Sequence, residues 1–112
     1  MQTTLRQGDV LLVRRTGALP PKAVPVPHDP RGVVLAEGEV TGHAHVIADE
    51  RVAMLADPET GRRWIIFKDG TALEEPALLT HEEHSTVMVE VGTYEVIAQR
   101  EYTVGYVRRV TD

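Results

Sequence analysis

The chain contains no cysteine. Disulfide frameworks, thiolate zinc sites, iron–sulfur clusters and a cysteine nucleophile are therefore excluded, and any bound metal must be held by nitrogen and oxygen. Aromatic residues are nearly as scarce: Trp64, Phe67, Tyr94, Tyr102 and Tyr106 are the whole set in 112 residues. So few rings make a stacking platform for nucleic-acid bases hard to assemble, and leave the core to Val, Leu, Ile and Ala. No apolar run approaches the roughly 18 residues of a membrane-spanning helix. The opening segment MQTTLRQGDV also lacks the basic stretch and apolar run of a signal peptide. These absences predict no membrane association and a cytoplasmic location. Net charge is −5, the wrong sign for a surface that tracks phosphates, so nucleic acid is not favoured although a local basic stripe would survive it.

Also missing is any three-turn window with a clean helical apolar stripe. Short runs rich in β-branched residues, punctuated by Gly, Pro and Asp, fill the chain instead. The pattern predicts strands at 9–14, 32–37, 40–47, 51–56, 62–68, 71–73, 86–91, 93–100 and 104–110, with Gly42 as a bend or bulge. The segment Asp57-Pro-Glu-Thr-Gly61 has turn residues where a hairpin needs them, and Asp69-Gly70 is a second such turn. Between Thr16 and Pro30, Pro20, Pro21, Pro25, Pro27 and Pro30 remove ladder donors, which predicts a long surface loop or arm. The expectation is an all-β single domain over 1–112, a small barrel or sandwich of about eight or nine short, mostly antiparallel strands.

What the chain does have is a histidine pattern. Four of its five histidines fall in two clusters, His43 and His45 in GHAH and His81 and His84 in THEEH. Side chains two apart on a strand share a face, so His43 and His45 stand roughly 7 Å apart at Cα as a chelating pair. Residues 80–85 read as a loop or a single helical turn; in the second form His81 and His84 share a side, with Glu83 or Glu82 able to add an oxygen. Three nitrogens and an open position suit a divalent transition metal, zinc above all. The clusters must meet for this, because no first-row ion bridges imidazoles more than about 10 Å apart. His28, in the proline-rich arm, reads as a solvated loop residue, and Glu37 and Glu39, which precede the cluster, read equally as a ligand or base and as solvated hairpin-tip carboxylates.

The segments GEVTGHAH, HEEH and QREY, with QGDVLLV before them, resemble those of small uncharacterised proteins of bacteria and phages, and the resemblance spans most of the chain. It implies a complete domain and no particular activity. GHAH is also similar to the His-x-His of cupins, small β-barrels that often bind a metal; Glu50 approaches the position of their following Glu, while their later proline-glycine-to-histidine pattern is absent.

The leading expectation is a domain that binds a divalent metal through His43, His45, His81 and His84 and uses a metal-activated water to hydrolyse an ester or phosphodiester, with Glu83 as base. A second is a non-catalytic accessory subunit, homo-oligomeric or docked on a larger protein through the arm at 16–30 and its strand edges. A third is a metal-free ribonuclease in which histidines serve as acid and base, Arg100 stabilises developing charge and Tyr102 donates a hydroxyl hydrogen.

Overall fold

The computed structural model describes residues 4–17, 19–38, 40, 42–68 and 75–98. Within them lie ten strands: β1 (Thr4–Gln7), β2 (Val10–Arg15), β3 (Val24–Pro25), β4 (Val33–Glu37), β5 (Ala44–Ile47), β6 (Val52–Ala56), β7 (Arg63–Phe67), β8 (Ala77–Thr80), β9 (Val87–Val89) and β10 (Thr93–Ala98). They form a six-stranded sheet in the order β1-β2-β10-β7-β6-β3 and a four-stranded sheet in the order β4-β5-β8-β9. Every pairing is antiparallel. The all-β expectation holds, and of its two forms the molecule takes the sandwich-like one rather than a closed barrel. The strands expected at 71–73 and 104–110 lie outside the described residues, as does the Asp69-Gly70 turn.

Alternation builds the core. Val10 and Leu12 of β2, Val33 and Leu35 of β4, Ile47 of β5, Val52 and Met54 of β6, Ile65 of β7, Leu79 of β8, Val89 of β9, and Tyr94 and Val96 of β10 point inward and form one buried cluster. Tyr94 satisfies its hydroxyl by donating to Glu90 O at 2.8 Å. The β6–β7 hairpin forms as its sequence predicts, with Asp57 N donating to Arg62 O, Gly61 N to Asp57 O, and Gly61 at φ +78°.

Three local expectations are revised. The strand expected from Asp9 starts at Val10 and has a partner before it: Gln7 pairs with Val10, leaving Gly8 and Asp9 as a two-residue loop between β1 and β2. Gly8 has φ +59° and Asp9 is not positive, the pattern of a type II′ turn, whose twist suits a hairpin. Gly42 lies in the connection before β5, at φ +88°, while the register shift falls on β4 between Val34 and Ala36. There Leu35 is the extra residue and Ala36 faces His45. The proline-rich arm is partly laid on its own sheet, since Val24 and Pro25 pair with Ala56 and Leu55, and Val26 N donates to Met54 O.

Candidate functional site

The two histidine clusters meet at one end of the sandwich, where the β1–β2 turn approaches β5 and the segment after β8. The rings of His45 and His81 lie 4.3 Å apart between centroids, those of His81 and His84 4.7 Å, and those of His45 and His84 5.8 Å. His43 is farther out, 6.1 Å from His81. Of the two forms open to 80–85, the loop is the one taken: β8 ends at Thr80 and an irregular segment with a bend at 82–84 carries both histidines. Gly8, Asp9, Gly38, His45, His81, Glu83 and His84 line a cleft of about 220 Å³.

His45 is the anchor. It shares the inward face of β5 with Ile47, and only 2 % of it is exposed. Its Nδ1 lies 2.9 Å from Oε1 of Gln7, itself 2 % exposed. The amide nitrogen of Gln7 donates to Leu79 O at 2.8 Å and to Ser85 O at 2.9 Å. Two carbonyl acceptors fix which end of the amide is nitrogen, so the end facing His45 is oxygen and accepts. In the neutral ring this arrangement suits the tautomer with its hydrogen on Nδ1 and none on Nε2. That Nε2 lies 3.7 Å from Asp9 Oδ1.

His81 has the opposite polarity. Glu83 N donates to its Nδ1 at 3.0 Å, which leaves the ring hydrogen on Nε2 in the neutral form. His84 sits over the turn, its Nε2 only 2.7 Å from where a Cβ on Gly8 would be. Glu82 accepts a hydrogen bond from Ala44 N at 3.0 Å, and this bond, more than the nearby His43 and His81, lowers its carboxyl pKa. Glu83 Oε2 lies 3.4 Å from His43 Nδ1, close enough for an ion pair with a protonated ring, yet that buried nitrogen makes no hydrogen bond.

As the side chains stand, no three His, Asp or Glu groups among the described residues are arranged to hold a metal ion. Arg100 and Tyr102 lie outside the described residues, and Glu83 acts on the site most directly through its backbone. Gln7 and Asp9 are the contributors that motif reading misses. A larger groove of about 310 Å³ runs along β4 beside Val26–Asp29, with Met54 and Arg63 in its wall. His28 is the single imidazole among its described lining residues, which offer no comparable pair of opposed nitrogens.

Among the described residues, no helix is long and apolar enough to cross a membrane. Comparison with curated proteins finds no match, and neither does comparison with solved structures. Residues 6–99, a span that holds both histidine clusters and nearly all the described strands, match the family described as a domain of unknown function (DUF8820), and the chain belongs to that family.

Proposed function

We propose that the cleft is a metal-free histidine site that hydrolyses an uncharged or cationic ester. The observation that carries this reading is the opposed hydrogen bonding of two adjoining rings, His45 with Nδ1 against the Gln7 oxygen and His81 with Nδ1 accepting from Glu83 N. His45 takes a proton from the attacking water as the water oxygen bonds to the carbonyl carbon. The same imidazolium then returns that proton to the leaving oxygen as its bond to carbon breaks. Asp9 lies where it favours the imidazolium, and His81 Nε2–H is a neutral donor for charge developing on the carbonyl oxygen. His81 is not the general acid, because loss of a proton from a neutral ring would leave an imidazolate. Asp9 and Glu83 line the cleft, and no Lys or Arg is among its described lining residues, which disfavours a polyanion such as RNA.

The test is hydrolysis of neutral and cationic p-nitrophenyl esters by the full chain in chelator, set against free imidazole at equal concentration. The protein is expected to exceed imidazole by at least about 100-fold, and His45→Gln to remove that excess. A wild-type rate no greater than that of imidazole, or cleavage confined to an RNA pool, overturns the proposal.

One distance favours a second reading. The 3.7 Å between His45 Nε2 and Asp9 Oδ1 is too long for a hydrogen bond and near the span of two ligands bonded at about 2.1 Å to one ion. Rotation of the exposed His84 would supply a third donor, and zinc suits that nitrogen and oxygen set. This reading expects about one equivalent of transition metal in the purified protein, and a Tm raised by roughly 10–20 °C at ~100-fold excess over Kd. It fails if neither is found.

A further inference from the structure

We infer that Gln7 is a positioning residue that sets the tautomer of His45, and so decides which imidazole nitrogen meets a cleft occupant. This deepens the proposed hydrolytic reading, and its kinetic arm rests on that reading; its spectroscopic arm does not.

Gln7 ends β1, in the six-stranded sheet, while each of its three partners belongs to the opposite sheet or its connections. Leu79 O is in β8, Ser85 O follows the His81–His84 bend, and His45 is in β5. Both amide hydrogens are committed to carbonyl oxygens that cannot act as donors. A reversed amide would set Oε1 against both of them, so the orientation with oxygen toward His45 is enforced from the far side. An acceptor at that place holds the proton on Nδ1 whatever lies in the cleft. The backbone of the bend and the lone pair of the buried base are thereby linked through one side chain. Leucine has similar bulk and neither donor nor acceptor, whereas a glutamic acid whose proton sits on the oxygen facing Leu79 O and Ser85 O keeps an acceptor toward His45.

The experiment reads side-chain ¹⁵N–¹H correlations of the full-length, uniformly labelled protein in chelator at pH 8, with His45→Gln to assign the signals. In the wild type, His45 is expected to show a protonated Nδ1 and an Nε2 that carries no hydrogen. Gln7→Leu is expected to shift the signature toward protonated Nε2, and Gln7→Glu to retain the wild-type form. In the ester assay, Gln7→Leu should lower kcat at least about 100-fold while KM changes less than about threefold, with partial recovery in Gln7→Glu, since a misplaced ring proton costs catalysis heavily. A wild-type His45 protonated on Nε2 overturns the inference even if Gln7→Leu fails to fold. So does a folded Gln7→Leu that loses turnover with the His45 signature unchanged, which would make Gln7 merely structural. The expected tautomers with no esterase activity would remove the proposed function and leave the role of Gln7 standing.

Discussion

Glu95 lies on β10 with 7 % of its surface exposed, between Arg15, which reaches Oε1 at 2.9 Å, and Arg62, which grips both oxygens at 3.0 Å. The Arg62 hydrogen bonds, with those of Arg15, hold its carboxyl below the ordinary value, against the opposing effect of burial. A depressed folded pKa contributes stability that is complete above the unfolded pKa, near 4.5, and is lost as pH falls through the folded value. Both guanidinium groups are about half exposed, so solvent screens much of the gain. Glu95→Gln is expected to cost about 1–2 kcal/mol at pH 7, with the deficit shrinking below pH ~4.5 and vanishing once the wild-type carboxyl is protonated. Urea melts at pH 7 and pH 3 check this, and an equal deficit at both would refute the ion-pair account. Single residues differ in how far sequence reveals them. The histidines announce themselves by clustering, whereas Glu95 reads as any strand carboxylate and Gln7 belongs to no motif. A faint signal for Gln7 exists in its place just before Gly-Asp, where a two-residue hairpin sets it opposite Val10, a core position.

At the scale of elements, the β1–β2 turn does two jobs, and Gly8 serves both. Its positive φ is costly for any residue with a Cβ, and His84 Nε2 occupies the place a Cβ would take. Gly8→Ala should therefore cost about 1–2 kcal/mol, most of it from the backbone, because the exposed His84 ring can swing aside. The same variant should move the His84 ring resonances while the Nδ1–H of His45 stays in place. Gly32→Ala provides the contrast. At φ +122° its Cβ would meet Ile47 O at 2.7 Å and the Ala48 Cα at 2.8 Å, backbone atoms that have no rotamer to change. Its cost should exceed that of Gly8→Ala, and thermal melts of the two that reverse this order would contradict the argument. The sequence makes some elements plain and hides others for the same local reason. Residues 57–61 spell out a turn between two apolar runs, so β6 and β7 are legible. β1 is four residues long and mostly polar, so its pairing depends on the turn and on β2. The bend at 81–84 has the spacing of a helical turn, but His81 Nδ1 accepts from Glu83 N and Glu82 reaches Ala44 N, and those bonds hold it against β5 instead.

For the whole molecule, the order of strands in the larger sheet decides how stability is assembled. β10, the last described strand, lies between β2, near the start of the chain, and β7. It pairs with β2 over six residues, from Thr93 opposite Arg15 to Ala98 opposite Val10, and with β7 over three. The edge of β2 away from β1 thus waits for a partner some eighty residues later, and the chain passes between the two sheets repeatedly before that partner arrives. Such non-local pairing predicts folding in the millisecond to second range. It also makes β10 indispensable. Without it, β2 and β7 would both present bare edges, and Tyr94, Val96 and Ala98 would be missing from the buried cluster. Each large side chain removed from a core costs about 2–5 kcal/mol, so the loss of Tyr94 and Val96 alone approaches the ~5–15 kcal/mol net stability of a typical domain. A chain ending at Gly92 is therefore expected to be unfolded, with no cooperative thermal transition by circular dichroism. The histidine cleft should vanish with it, although every cleft residue remains, because Gln7 and Asp9 are held opposite His45 only while the hairpin they belong to is anchored through β2 to β10. A cooperative melt from that shortened chain would show that the four-stranded sheet and the β1–β2 hairpin form the site independently, and would place the cleft in a smaller folding unit than the sandwich.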